Sequence, residues 1–265
     1  MDTVVVKDRS TGRVSPPLAP STFQQFRAQY DLSIEALAAR ILSRHHETIK
    51  IKKAHVAIRN LCRILDSALT LANRTGFHAM SLRDLSEHSG VSMGALYTYF
   101  DSKETLLTMI LHTVAEAVED VLAAPLSKLD SDPAARLRWL IVRHVHVTEA
   151  MLPWFFFVFM ETKAFPREAR ASARSHERRT EALIEDVLKS GKTSGAFAID
   201  DVAMTATLIK PLLQDWYVKR AKYKRRAIGP DHYAQSIIAF VESAILRVAL
   251  HSGFKAIPPR RTATR

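Results

Sequence analysis

Residues 81–103, SLRDLSEHSGVSMGALYTYFDSK, decide the fold of this chain. Ser81 is placed to cap a first helix, and the acidic residue three positions later completes a capping box. Gly90 supplies the residue without a Cβ that a sharp turn after this helix needs. Ser92 then caps a second, short helix that we predict over 93–99. Two helices joined by a tight turn indicate a helix-turn-helix whose second helix enters the major groove of DNA.

The segments on either side of this stretch complete a resemblance to a known family. An amphipathic pattern over 64–81 precedes the motif and closes on Gly76, and DSKETLL follows at 101–107. With these flanks, the order GVS-x-GALY-x-YF-x-SKE-x-LL is similar to the DNA-binding domain of TetR-type repressors. The resemblance implies an N-terminal DNA-binding domain, followed by a helical domain that binds a small-molecule effector and forms a homodimer.

The composition agrees with a protein that binds nucleic acid. The 265 residues carry a net charge of +11 at pH 7, and the sequence pI is about 9.9, which suits a polyanionic partner. Proteins drawn to acidic membranes are also basic, but the motif favours double-stranded operator DNA. The most apolar run, 151–160, is too short to span a bilayer, and the N-terminus lacks the pattern of a secretory signal. We therefore expect a cytoplasmic protein without a membrane partner.

The sequence gives no sign of catalysis, metal binding or a cofactor. His144 and His146 are two residues apart, which directs them to different faces of a helix, whereas metal ligands on one helix are three or four apart. A glycine-rich phosphate loop, a nucleophile elbow and an HExxH motif are all missing from the sequence. The single cysteine, Cys62, excludes an intrachain disulfide. We predict that the protein is not an enzyme.

Helical periodicity and the position of the prolines predict an all-α chain in four segments. Residues 1–53 form an N-terminal extension, in which a disordered tail precedes an amphipathic helix from Ser33 to about Glu47. Residues 54–103 contain the helix-turn-helix domain. Residues 104–254 form the ligand-binding and dimerisation domain, and 255–265 are a basic tail.

The last two helices, expected over 200–224 and 230–252, each carry an apolar stripe. The resemblance implies that they pair with their symmetry mates in a four-helix bundle, although the same stripes would also suit the core of one subunit. A two-fold dimer would present two recognition helices to a near-palindromic operator. The stripe residues are Val202, Ala206, Ile209, Leu213 and Trp216 on the first helix, and Ile237, Phe240, Val241, Ala244, Ile245 and Val248 on the second.

The recognition helix contains no Arg, Lys, Asn or Gln, so it cannot make the strongest bidentate base contacts. Met93 or Ala95 against a thymine methyl group, hydroxyl groups and DNA shape would supply specificity instead. By position in the motif, Tyr97, Tyr99 and Lys103 would contact phosphate or sugar. The predicted DNA-binding residues are Ser81, Ser92, Met93, Gly94, Ala95, Tyr97, Thr98, Tyr99, Lys103, Lys50, Lys52 and Lys53.

The three lysines of the extension are open to two interpretations. Lys50, Lys52 and Lys53 would reach phosphates or the minor groove, as basic arms do, if the extension packs beside the DNA-binding domain. Alternatively, they are solvated side chains that follow a packed or dimer-swapped helix.

Large apolar side chains between 139 and 160 indicate an apolar or acyl effector, although aromatic residues at these spacings are also typical of a core. The predicted ligand-binding residues are Trp139, Val142, His146, Met151, Trp154, Phe155, Phe157 and Phe159. The run KRAKYKRR at 219–226 would bind the phosphates of an acyl-coenzyme A, or is a solvated helix end. The chain is thus expected to be a repressor released from DNA by a ligand. The alternative is a constitutive DNA-binding regulator without an effector.

Overall fold

The computed structural model describes residues 22–51, 53–122, 129 and 131–246. Its α-helices are α1 Phe23–Gln29, α2 Ile34–Arg44, α3 Ala54–Thr75, α4 Leu82–Ser89, α5 Met93–Leu96, α6 Lys103–Leu122, α7 Pro133–Ala150, α8 Leu152–Glu161, α9 Arg167–Thr193, α10 Val202–Val218, α11 Arg220–Arg225 and α12 Pro230–Ile245. A 3₁₀ helix over Thr162–Ala164 follows α8. These ranges contain no β-strand, only an isolated bridge between Phe197 and Leu246, and the all-α prediction is confirmed.

Some of the predictions concern residues outside the described ranges. They are the tail at 1–20, Lys52, Val248 and the basic tail at 255–265. Within the ranges given above, no helix has both the length and the apolar composition needed to cross a membrane.

Local chemistry sets the ends of the helix-turn-helix. The Ser81 hydroxyl accepts a hydrogen bond from the Asp84 amide, and the Asp84 carboxylate accepts one from the Ser81 amide, which completes the capping box. Gly90 follows α4 with φ of 62°, a left-handed conformation that favours glycine. Ser92 caps α5 through the amide of Ala95.

The recognition helix is shorter than predicted. We expected it over 93–99, but α5 ends at Leu96. The amides of Thr98 and Tyr99 bond to carbonyls three residues back, on Ala95 and Leu96. The chain after α5 is therefore tightened into turns rather than continued as an α-helix.

Two further features of the helix boundaries depart from simple expectation. Ser190 and Gly191 are residue types that favour a loop, but they lie inside α9, which continues to Thr193. A Cβ on Gly191 would lie 1.9 Å from the ring of Phe197, so this glycine allows close packing inside a helix rather than a turn. The helix expected over 200–224 is two helices, because α10 ends at Val218 and α11 begins at Arg220.

The N-terminal extension contains a helix, α1, that helical periodicity did not predict. Thr22 and Gln25 form a capping box at the start of α1, and this Thr-x-x-Gln spacing is a sequence signal. Helix α1 packs on α7, while α2 packs on both α3 and α6. The extension therefore contacts the helix-turn-helix domain and the helical domain of its own chain.

Helix α7 is the centre of the helical domain. Every residue from 139 to 148 is buried, because α7 packs against α6, α9, α10 and α12. This packing explains why its sequence shows little helical amphipathicity: a helix surrounded by other helices buries every face.

Candidate DNA-binding surface and effector cavity

The short helix α5 presents small and hydroxylated groups at the surface. Ser92 and Gly94 are exposed, and a Cβ added to Gly94 would meet no atom within 4 Å. Tyr97 is 53% exposed, unusual for an aromatic side chain in this domain. Ser81 is also exposed at the start of α4. These residues are accessible to DNA, and their contacts with it remain a prediction.

The other predicted DNA-binding residues of α5 and of the turn after it are less accessible to DNA. Met93 and Ala95 are partly buried against the core. The Thr98 hydroxyl is also partly committed, since it donates to the Ala95 carbonyl at 2.6 Å. The structure contradicts the predicted contact of Tyr99, which is 0% exposed and packs in the domain core with Phe100.

Lys103 is hydrogen-bonded within the helix-turn-helix domain, a role that the sequence did not predict. Its ammonium donates to the carbonyl oxygens of Phe77, His78 and Met80 at 3.1, 3.0 and 3.0 Å. It also lies 5.0 Å from the centre of the Phe77 ring. An ammonium has three hydrogens to donate, and these three bonds use them all. Lys103 therefore holds the turn that precedes α4, and the predicted phosphate contact would require its ammonium to give up at least one of these bonds.

The end of the extension lies beside the recognition helix. The backbone amide of Lys50 donates to the carbonyl of Thr98 at 3.0 Å, just after α5. The side chains of Lys50 and Lys53 are exposed. Helix α2, which leads to this point, is fixed to α6 by ion pairs of Arg40 with Asp120 and of Arg44 with Glu116. Both lysines are therefore well placed for a phosphate contact, which remains a prediction.

Helix α1 is anchored on the helical domain by an aromatic cluster. The Arg143 guanidinium lies 5.6, 5.2 and 5.7 Å from the ring centres of Phe26, Tyr30 and Trp139. It donates one hydrogen bond to the Gln29 side chain at 3.1 Å. Burial lowers the pKa of Arg143, and the surrounding rings offset part of that cost through cation–π contacts. Trp139, predicted to bind ligand, is instead part of this anchor.

His146 also serves the anchor. Its Nε2 lies 2.7 Å from the carboxylate of Asp231, which accepts the Phe23 amide at 2.9 Å. Burial lowers the pKa of His146, although the Asp231 carboxylate acts in the opposite direction. His146 therefore joins α7, α12 and α1, and it does not border the cavity described next.

A cavity of about 660 Å³ lies among α6, α8, α9 and α10, with α7 behind it. Its wall is mostly apolar, which is typical of a small-molecule site. The apolar lining includes Leu111, Val114, Val118, Leu122, Phe155, Val158, Phe159, Ala173, Leu183 and Tyr217. Of the predicted ligand-binding residues, Phe155 and Phe159 border it.

The remaining predicted ligand-binding residues on α7 and α8 belong to the core. Val142, Met151, Trp154 and Phe157 are buried and lie outside the lining of this cavity. Helical geometry explains the division, since residues four apart share a face and those two apart do not. Phe155 and Phe159 therefore face the cavity together, while Phe157 packs on the opposite side.

Helix α8 connects the cavity to the helix-turn-helix domain. Its Phe157 ring lies 5.7 Å from the Phe77 ring in an edge-on arrangement. The Glu161 carboxylate accepts the Phe77 amide at 2.7 Å, and the Asn73 amide donates to the Pro153 carbonyl at 3.1 Å. Phe77 belongs to the same turn that Lys103 holds. One face of α8 thus lines the cavity, and the other contacts the segment before α4.

The buried polar side chains that border the cavity are His144 on α7, Thr180 on α9 and Lys210 on α10. We call the part of the wall formed by Lys210 and His144 its polar end. Exposed charged side chains also border the cavity, namely Glu119, Lys163, Arg174, Glu177 and Arg179. Lys210 is 7% exposed, and burial lowers its pKa to about 8, although the carboxylates of Glu177 and Glu181 raise it. His144 lies close enough for the Lys210 charge to lower its pKa further, in addition to the dominant effect of burial. His144 is therefore neutral at pH 7.

Most residues of the predicted stripes on the last two helices are buried within the subunit, whereas Phe240 and Ala244 are exposed as predicted. The stripe residues Ala206, Ile209, Leu213, Trp216, Ile237, Val241 and Ile245 are buried within the subunit, so they form its own core. The exposed apolar side chains are Met204 and Leu208 on α10, and Phe240 on α12, the last two each 64% exposed. Large exposed apolar side chains are candidates for a protein interaction surface, so these three residues are where a dimer interface is sought.

The basic run at 219–226 lies away from the cavity. Arg220 donates two hydrogen bonds of 2.9 Å to Glu149, and Lys219 and Lys222 both pair with Asp215. No residue of the run lines the cavity. These ion pairs favour the interpretation of the run as a solvated helix end.

Two family models match the chain over most of its described length. "Bacterial regulatory proteins, tetR family" matches residues 64–110, and "Tetracyclin repressor-like, C-terminal domain" matches 130–238. The chain belongs to the TetR family. This family consists of DNA-binding transcriptional regulators and not of enzymes, so the predicted resemblance and the predicted lack of enzyme activity are confirmed.

Individual TetR proteins are similar over most of the chain. The transcriptional repressor KstR of Mycobacterium tuberculosis (strain ATCC 25618 / H37Rv) is 25% identical over 169 residues, which are 60% of this chain and 71% of KstR. The TetR regulator PfmR of Thermus thermophilus has 25% identity and a TM-score of 0.55, covering 68% of this chain and 95% of PfmR. AibR, solved with isovaleryl coenzyme A and operator DNA, has 19% identity and a TM-score of 0.57, covering 69% of this chain and 97% of AibR.

Proposed function

We propose that this TetR-family regulator is a homodimeric repressor, released from a near-palindromic operator when an apolar ligand fills the cavity. The observation that carries the proposal is the position of α8. Phe155 and Phe159 on one face line the cavity, while Glu161 and Phe157 contact Phe77 in the turn before α4. The family match supports DNA binding, and the repressor KstR supports the direction of control.

Ligand binding would act on DNA affinity through α8. A ligand that displaces α8 in the helical domain must move or break the bond between Glu161 and the Phe77 amide. The same turn is held by Lys103 at the start of α6, so it has contacts to two elements that border the cavity. A ligand changes operator affinity only if it binds one arrangement of these elements better than the other.

The exposed apolar face of α10 and α12 supports dimerisation. Met204, Leu208 and Phe240 would be costly to leave in water on a monomer, and burying them against a second copy gives an isologous interface.

The complex of AibR with operator DNA and isovaleryl coenzyme A supports DNA and a small molecule as the two partners of a chain of this fold.

The coupling is tested with an operator selected from random duplex DNA and a ligand identified by mass spectrometry of the purified protein. The variant Glu161→Ala removes the acceptor of the Phe77 amide. We expect it to bind operator within about threefold of the wild type and to lose most of its release by ligand. The control is Glu168→Ala, which truncates an exposed carboxylate at the start of α9. An unchanged ligand response in Glu161→Ala would refute the role of α8.

The same measurements separate the two candidate functions. A wild-type protein that binds operator with equal affinity with and without every ligand it retains would be the constitutive regulator. Dimerisation is tested by light scattering of Leu208→Glu and Phe240→Glu, with Met160→Glu as a control on a similarly exposed apolar residue of α8. We expect the first two variants to be monomers and the control to be a dimer. Dimers in all three would place the interface elsewhere.

A further inference from the structure

We propose that the effector is an apolar carboxylic acid whose carboxylate binds Lys210 and His144 at the polar end of the cavity. This inference rests on the proposed function of the cavity and names the chemistry of its ligand. The two side chains come from different helices, α10 and α7, and both line the cavity.

Lys210 is a buried cation without a direct partner. It makes no hydrogen bond or ion pair with any residue in the described part of the chain, although it is only 7% exposed. The carboxylates that act on it are already engaged: Glu177 accepts from Gln214 at 2.6 Å and Glu181 accepts from Thr207 at 2.8 Å. Buried charges in proteins are normally paired, because desolvation is expensive. An anion from the ligand would supply the missing partner.

His144 provides a second polar atom at the same end. Its Nε2 is buried and has no hydrogen-bond partner among the residues that the structure describes. As a neutral imidazole, it can place a proton on Nε2 and donate to an acceptor. Buried nitrogen atoms of this kind are rare in native proteins, and a ligand atom is one way to satisfy them.

The donor set suits a carboxylate better than other head groups. One ammonium and one imidazole N–H match the two oxygens of a carboxylate, whereas a phosphate presents three oxygens and a larger charge. A cationic ligand would be repelled by Lys210. A thioester or an alcohol offers an acceptor without charge and would leave the ammonium uncompensated. The apolar side chains of the lining take the hydrocarbon part of the ligand, whereas the other charged side chains that border the cavity, Glu119, Lys163, Arg174, Glu177 and Arg179, are exposed to solvent.

The test uses decanoate and 1-decanol, which share a hydrocarbon chain and differ in charge. Calorimetric titration of the full-length protein gives both dissociation constants. We expect the wild type to bind decanoate about 30-fold more tightly, the ratio that one charge-assisted hydrogen bond provides. Lys210→Met keeps the length of the side chain and should abolish this ratio, while its affinity for decanol stays within about threefold.

The control is Lys163→Met, which removes an exposed ammonium that also borders the cavity and should keep the preference for decanoate. Equal affinities for the two probes in the wild type, no binding of either probe, or an unchanged preference in Lys210→Met would overturn the proposal. Operator release is measured separately. Binding of decanoate with the expected preference but without release would support the carboxylate site and refute the proposed ligand-responsive function.

Discussion

Replacing Lys210 by methionine should stabilise the ligand-free protein. The ammonium is buried without a direct partner, so the folded state carries a desolvation cost that the unfolded chain does not. Methionine has a side chain of similar length and no charge, and it fills the same space beside the cavity. In the absence of ligand, Lys210 would thus lower the free energy of unfolding, as is common for residues that serve binding rather than stability.

The pKa of Lys210 gives the size of this effect. A pKa that falls from 10.5 in the unfolded chain to about 8 in the folded protein corresponds to a destabilisation of about 3 kcal/mol at pH 7. Because the folded-state pKa is the lower one, the unfolded chain holds the proton more tightly between these values. The cost is therefore complete below pH 8 and disappears as the pH rises to 10.5, leaving about 1 kcal/mol at pH 9.5.

Urea denaturation of the wild type and Lys210→Met at pH 7 and pH 9.5 measures the difference in stability between the two proteins at each pH. We expect the variant to be more stable by about 3 kcal/mol at pH 7 and by about 1 kcal/mol at pH 9.5. Lys189→Met, which removes an exposed ammonium on α9, should change stability by less than about 0.5 kcal/mol at either pH. A variant no more stable than the wild type, or a gain that does not shrink with pH, would refute the reasoning.

Three other substitutions test the DNA-binding domain and the extension. Lys103→Met removes three hydrogen bonds to carbonyl groups and should lower the free energy of unfolding by about 2 kcal/mol without changing the salt dependence of operator binding. The control is Lys192→Met, which loses one exposed hydrogen bond to a carbonyl group. A shallower salt dependence of operator binding with unchanged stability would instead support the predicted phosphate contact of Lys103. The methyl group added by Gly94→Ala would contact no neighbouring atom, so the variant should be as stable as the wild type or more stable by up to about 1 kcal/mol. The same methyl group should weaken operator binding about tenfold. Unchanged affinity would show that α5 does not approach the groove closely. Phe26→Ala removes a fully buried ring worth about 3 kcal/mol, so limited proteolysis should cut α1 much faster than in the wild type, and equal rates would contradict its anchoring on α7.

Local sequence signals account for the helix-turn-helix. Ser81, Asp84, Gly90 and Ser92 act on neighbours within a few residues, so their roles can be predicted without knowing the tertiary structure. The same kind of signal, Thr22 with Gln25, marks α1 and was present in the sequence. These local signals did not predict the length of α5 correctly, because the turns after Leu96 depend on packing of the domain core.

Side-chain roles that depend on distant neighbours were not predictable. Position in the motif indicated that Tyr99 and Lys103 face DNA, but packing buries the first and bonds the second to the turn before α4. The aromatic residues of α8 could be listed from the sequence, yet only the packing of α8 decides which of them line a cavity. The lysine at position 210 stood inside an apolar helix without a visible partner, and only the fold shows that it reaches a cavity.

The sequence by itself determined the fold class, the helix-turn-helix and the family of this protein, because caps, turns and helical periodicity depend on residues close together in the chain. The tertiary structure alone decided which apolar faces became core, which stayed exposed on α10 and α12, and where the cavity and its unpaired lysine lie. Those outcomes depend on how helices far apart in sequence pack together, and one helix face can be either core or interface until its neighbours are known.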